Sequence, residues 1–182
     1  MARVWLGAVF AGVCAAFAAP LPAQDAGPVT NLPLPRFVSL NAAEVNLRRG
    51  PGLDYRIDWV YRHDGLLVRV IDEYGHWRRI EDSDGDDGWA YHALLSGRRS
   101  ALVTAEGTLL MREPRGWEAP GKCPELVESD GADGAVACLE RGVVARLEAC
   151  RPGWCRLSVD GHTGWLAKRN FWGAGSGEVF GE

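Results

Sequence analysis

Gly65-Leu66-Leu67-Val68-Arg69-Val70, followed by Trp77-Arg78-Arg79-Ile80, Gly88-Trp89-Ala90 and Gly97, is written a second time further along the chain. The second copy runs Gly142-Val143-Val144-Ala145-Arg146-Leu147, then Trp154-Cys155-Arg156-Leu157, Gly164-Trp165-Leu166 and Gly173. The offset is 77 residues at the first glycine and first tryptophan, and 76 at the second tryptophan and last glycine. Register kept over that span marks two homologous modules in tandem, too few for a solenoid. Within each copy short apolar runs alternate with Gly-rich turns, and nothing in either half supports a helix of ordinary length. Five or six short strands per module predict an all-β chain of two small barrels.

Working outward from the repeat, strands are expected at 37–40, 45–48, 57–61, 68–73, 76–81 and 88–91, with a 3₁₀ turn at 92–95. A last strand at 101–104 leads into the second module. There Thr108-Leu109-Leu110-Met111-Arg112 echoes Val45-Asn46-Leu47-Arg48. Setting Leu47-Arg48 against Met111-Arg112 gives an offset of 64, hence a 13-residue insertion between Arg112 and Leu139. The expected domains are a signal peptide over 1–23, an extended Pro-containing linker over 24–35, a first barrel over 36–103, a second over 104–175 and a tail over 176–182.

Arg3 ahead of the apolar run Val4 to Ala19, with Leu21-Pro22-Ala23 as a cleavage site, has the form of a secretory signal peptide. The run falls short of the ~20 residues a spanning helix needs, so a retained anchor is the weaker reading. Periplasmic or secreted residence is the expectation, without stable membrane insertion after cleavage. Without Arg3, 19 basic residues face 24 acidic ones. That balance argues against nucleic acid and against an anionic lipid surface as partners.

Beyond the leader stand Cys123, Cys138, Cys150 and Cys155. An oxidising compartment favours disulfides over a four-thiolate zinc site, and no CxxC pair is present. The preferred pairing is Cys150 with Cys155 and Cys123 with Cys138, the latter closing the insertion; no metal or other cofactor is expected. The 77-residue offset sets Cys150 on Glu73 and Cys155 on Arg78. A cross-strand ion pair in place of a disulfide is one reading, and two separately solvated charges the other.

Asn46-Leu47-Arg48-Arg49-Gly50-Pro51-Gly52, taken with Trp77 and Gly88-Trp89, resembles the bacterial SH3 domain. More narrowly the chain is similar to exported tandem SH3-like proteins of alphaproteobacteria, closely over 34–103 and well over 136–173. The second module departs by its insertion and by reading Arg112-Glu113-Pro114 where the first has its Gly-Pro-Gly turn. The resemblance implies a binding role in the cell envelope, often toward peptidoglycan or a peptide, with no defined ligand site.

Strand parity puts Trp77 and Ile80, three apart, on opposite faces, and likewise Trp154 and Leu157. With Ile80 and Leu157 inward, the tryptophans are exposed for ligand stacking, or else they cap a barrel end. Tyr55, Trp59, Tyr61, Trp89 and Tyr91 are candidates for the same groove, although Trp89 and Trp165 also read as core. Arg48 is a candidate for holding a peptide carboxylate, against a structural bond to the Gly50-Pro51-Gly52 turn. Asp82-Ser83-Asp84-Gly85-Asp86-Asp87 fails the EF-hand pattern and reads as a hairpin turn. The histidines have no recognisable nucleophile beside them, so catalysis is not expected. The expected partner is a cell-wall glycan or peptide or an envelope protein, with a scaffolding module as the rival function and a hydrolase accessory as a remote one.

Overall fold

Burial alternates residue by residue along the two central strands, Trp77–Glu81 and Trp154–Val159, and this alternation builds two barrels. The computed structural model describes residues 25–114, 123 and 134–181; the expected signal peptide and most of the insertion lie outside the described residues. A short ribbon of β1 (Asp25–Ala26) and β2 (Pro33–Leu34) precedes the first barrel. That barrel comprises β3 (Arg36–Leu40), β4 (Val45–Arg48), β5 (Ile57–Tyr61), β6 (Leu67–Tyr74), β7 (Trp77–Glu81), β8 (Asp87–Tyr91) and β9 (Leu95–Ser96). They form one antiparallel sheet in the order β5-β4-β8-β7-β6-β3-β9. The second sheet holds β10 (Ser100–Val103), β11 (Thr108–Met111), β12 (Ala135–Leu139), β13 (Val144–Arg151), β14 (Trp154–Val159), β15 (His162–Ala167) and β16 (Phe171–Trp172). Its order, β12-β11-β15-β14-β13-β10-β16, repeats the first strand for strand. Leu47, Val70 and Ile80 centre one core and Leu110, Leu147 and Leu157 the other. Full burial of each such side chain contributes ~2 kcal/mol.

Three boundaries differ from those expected. First, β10 pairs with β13 and β16, so the chain crosses into the second barrel before Ser100, not after residue 103. Only 97–99 separate the barrels. Ala101-Leu102-Val103 suits either sheet by composition, and its partners lie more than 40 residues downstream. Second, Arg48 and Met111 each pair with the tryptophan of the Gly-Trp element, and each follows a register shift. Their offset is 63, not 64. Residues 49–56 join β4 to β5 whereas 112–134 join β11 to β12, so the second loop is longer by 15 residues, not 13. Third, 24–35 is not simply an extended linker. Asn31, at φ 57°, turns the ribbon back on itself, and the amide of Gly27 donates to the carbonyl of Leu32.

Glu73 holds that ribbon. Its carboxylate accepts from the amides of Val29 (3.1 Å) and Thr30 (2.8 Å), the Thr30 hydroxyl (2.7 Å) and Arg36 Nη2 (2.6 Å). Arg78 Nε lies 3.5 Å away, so the cross-strand ion pair is present and both residues are buried. Burial alone would push the Glu73 carboxyl up. The Thr30 hydroxyl and amide, Arg36 and the Val29 amide outweigh it and bring it from 4.5 down to about 2. At the matching place in the second barrel, Cys150 and Cys155 form a disulfide with Cα atoms 4.1 Å apart. There the C-terminal segment takes the ribbon's part: Phe180 and Cys150 exchange backbone hydrogen bonds, and Arg99 binds Glu178 at 2.6 Å. The second disulfide joins Cys123 to Cys138 on β12.

The barrels pack directly on one another. Phe37 meets Trp172 edge-on at 5.0 Å, and the hydroxyls of Ser39 and Ser100 are 2.8 Å apart. Gly173 has φ 138°; a Cβ there would lie 2.6 Å from the Ser100 carbonyl oxygen and 2.9 Å from Leu67 Cδ2.

Candidate functional site

Arg78 and Ile80 point into the first barrel, so Trp77, Arg79 and Glu81 lie on its outer face. The register of the neighbouring strands then assembles a row. Tyr74 on β6 pairs with Trp77 on β7, which pairs with Tyr91 on β8. Residues directly opposite on antiparallel strands share a face at about 5 Å, so the three side chains project from one face. Tyr74 is 65% exposed and Tyr91 40%, with Trp77 half-buried between them. Trp77 and Tyr91 meet edge-on, ring centroids 5.7 Å apart.

Two imidazoles extend the row. His76, in the hairpin before β7, and His92, opening the 3₁₀ turn His92–Leu94, stack at 5.4 Å. Both rings lie against Tyr91, at 5.9 and 5.0 Å. The amide of His92 donates to the carbonyl of His76, which locks turn to hairpin. One residue pair inward the face turns polar: Asp72, Arg79 and Trp89 lie in register, and Arg79 makes a two-pronged pair with Asp87. The arrangement is a small aromatic platform beside a charged strip, suited to stacking on a flat, polar-edged ligand.

The candidates from the sequence divide. Trp77, Tyr91 and Trp89 share the outer face. Trp89 is half-buried there and not part of the core, which β8 supplies with Gly88 and Ala90. Gly88 is fixed because a Cβ would approach Leu47 Cβ to 3.0 Å. Arg48 pairs with Trp89 in register, but its Nη1 donates to the carbonyls of Leu53 (2.9 Å) and Tyr55 (2.7 Å). Its role is therefore structural. The Tyr55 ring lies over Gly50, where a Cβ would come within 2.5 Å of it. Trp59 and Tyr61 sit on β5, opposite the core residues Leu47 and Val45.

The Tyr61 hydroxyl donates to Asp82 Oδ2 at 2.6 Å, and burial followed by Asp82 raises its pKa. Asp82 lies five residues beyond Trp77, ~15 Å along an extended strand. Tyr61 and Trp77 thus do not line one groove. Asp82 Oδ1 accepts from the amides of Asp84 and Asp86, so the acidic stretch is a hairpin turn with Gly85 at φ +91°. Tyr74, His76 and His92 were not apparent as site residues in the sequence; the Trp77 equivalence with Trp154 carries no information about them.

The second barrel lacks the row. Arg151, Trp154 and Ala167 stand where Tyr74, Trp77 and Tyr91 stand in the first. The Arg151 guanidinium lies 4.8 Å over the Trp165 ring, which is only 9% exposed.

The described residues thus form two barrels of one strand order, with an aromatic face on the first. The bacterial SH3 domain family matches residues 41–97 and 128–173, and the chain belongs to it. The chain is 25% identical over 161 residues to the putative N-acetylmuramoyl-L-alanine amidase YrvJ of Bacillus subtilis. That alignment covers 81% of this chain and 29% of the amidase, so the chain spans less than a third of that relative. Among solved structures, NlpC2 and NlpC1 of Trichomonas vaginalis align with a TM-score of 0.33 each, at 12% and 11% identity. They cover 77% and 81% of this chain, which in turn spans 48% and 49% of theirs.

Proposed function

We propose that this chain is a non-catalytic cell-wall-binding protein whose first barrel recognises peptidoglycan through the row Tyr74, Trp77 and Tyr91. The observation that carries the reading is the asymmetry of the two barrels. The central tryptophan is kept in both barrels, but Tyr74 and Tyr91 flank it in the first whereas Arg151 and Ala167 flank it in the second. Flat aromatic faces stack on the apolar face of sugar rings, and the flanking imidazoles and the Arg79–Asp87 pair supply hydrogen-bonding groups at the edge. Family membership and the amidase relative, named for N-acetylmuramoyl-L-alanine, support a wall ligand. Two disulfides support residence in an oxidising compartment, periplasmic or extracellular. The described cysteines are consumed in those disulfides, and His76 and His92 pack on Tyr91, which supports binding without catalysis.

The test is co-sedimentation with purified peptidoglycan. Wild-type protein should pellet, and Trp77→Ala should lower the bound fraction as a roughly tenfold weaker affinity, ~1.4 kcal/mol, requires. Trp154→Ala should bind as wild type. Equal binding by Trp77→Ala, with its fold intact, would remove the assignment.

A further inference from the structure

The edge strand β5 is a second surface, distinct from the aromatic row. Among the described residues it pairs with β4 alone and ends its sheet, with one side of its backbone left unpaired by them. Ile57, Trp59 and Val60 are all exposed along it, Trp59 by 51%, and Leu53 and Tyr55 extend the apolar surface. Folded proteins normally blunt such an edge with charge, proline or a cover. The second barrel does so. On its equivalent strand β12, Ala135, Ala137 and Cys138 take the places of Ile57, Trp59 and Val60, and Cys138 is tied to Cys123. One strand position has thus acquired opposite surface chemistry in the two barrels.

We infer that β5 is a self-association surface, pairing antiparallel with β5 of a second copy of this chain about a two-fold axis at Val60. The charges along the strand select the occupant and the register. With Val60 on Val60 of the second copy, Trp59 faces Tyr61 twice and Asp58 faces Arg62 twice, so the opposed charges are complementary. Centring the axis on Trp59 instead opposes Arg56 to Arg62 twice, and centring it on Tyr61 opposes Asp58 to Asp64. Like charges set opposite are unfavourable, and they exclude the neighbouring registers. Asp58 is already held by Arg49 and Arg56, and Arg62 by Glu44, so these charges specify alignment while the apolar side chains supply most of the affinity. Such a contact is isologous and closes at the dimer. The two sheets would run on as one, and the inference stands whatever the aromatic row binds.

Sedimentation velocity over a concentration series, on the purified protein, reads the association. Wild type should be dimeric by about 100 µM, and Trp59→Lys should dissociate at least tenfold more readily with an unchanged melting curve. Asp58→Arg and Arg62→Asp should each be monomeric alone, and an equimolar mixture of the two should recover the dimer, since each then meets its opposite charge. A wild-type monomer throughout the range, a dimer indifferent to Trp59→Lys, or a mixture of charge variants that stays monomeric would overturn the inference. So would a different protein found paired on β5.

Discussion

Glu73→Gln removes one negative charge from the place where the ribbon, β6 and β7 meet, and its consequence can be worked from the structure. Gln keeps the shape but leaves Arg36 and Arg78 without their anion and weakens the bonds from Val29 and Thr30. Removing one partner of a buried pair costs ~3–5 kcal/mol where solvent is fully excluded. The Glu73 side chain is buried, but Arg36 remains partly solvated, which places the loss nearer ~2–3 kcal/mol. The pH dependence gives a separate estimate. A carboxyl lowered from 4.5 to about 2 contributes ~3 kcal/mol at ~1.4 kcal/mol per unit, less screening. Because the folded value is the depressed one, this contribution is complete above about pH 5 and drains as pH falls toward 2. Urea unfolding of wild type and Glu73→Gln between pH 7 and pH 2 measures it, with hydrogen exchange at the Val29 and Thr30 amides reporting the ribbon. A difference that shrinks toward pH 2, with faster exchange at both amides in the variant, is expected. A difference below ~0.5 kcal/mol at pH 7, or one that does not change with pH, would show that the Glu73 carboxylate does not hold the ribbon.

Three further outcomes follow from the same geometry. Glu73→Cys with Arg78→Cys should form an intramolecular disulfide, detectable by mass under non-reducing conditions, since Cys150 and Cys155 do so at the equivalent paired positions. Its ribbon should nonetheless exchange faster, because the anion is gone. Gly173→Ala should destabilise by ~2–4 kcal/mol in urea unfolding, because the new methyl meets the Ser100 carbonyl and Leu67 at a backbone angle that disfavours a side chain. Arg48→Met, the residue of the second barrel, should lose ~1 kcal/mol of stability through its bonds to Leu53 and Tyr55 while leaving peptidoglycan binding unchanged.

Parity and repetition carry far in this chain. The opposite orientation of Trp77 and Ile80 follows from a period of two, and the Glu73–Arg78 pair from the copy that has cysteines there. The aromatic row is a different kind of fact. It depends on the register of three strands and on the irregularity between Val70 and Asp72, which sets Tyr74 on the same face as Trp77. A single sequence does not reveal a bulge whose only local sign is one more apolar residue. The grouping of Tyr61 with Trp77 failed for the same reason: both are aromatics on first-barrel strands, but Asp82 draws one to the far end of β7. The ribbon was illegible because its partner, Glu73, lies 43 residues from Thr30, and β10 because its composition suits either barrel.

The proposed function places peptidoglycan on Tyr74, Trp77 and Tyr91 of the first barrel. Titrating isotope-labelled protein with soluble peptidoglycan fragments, and following amide and aromatic NMR shifts, tests it most directly. Saturable shifts are expected at Tyr74, His76, Trp77, Tyr91 and His92, with Trp154 and Trp165 unmoved. Shifts confined to the second barrel or to β5, or none at saturating fragment, would contradict it.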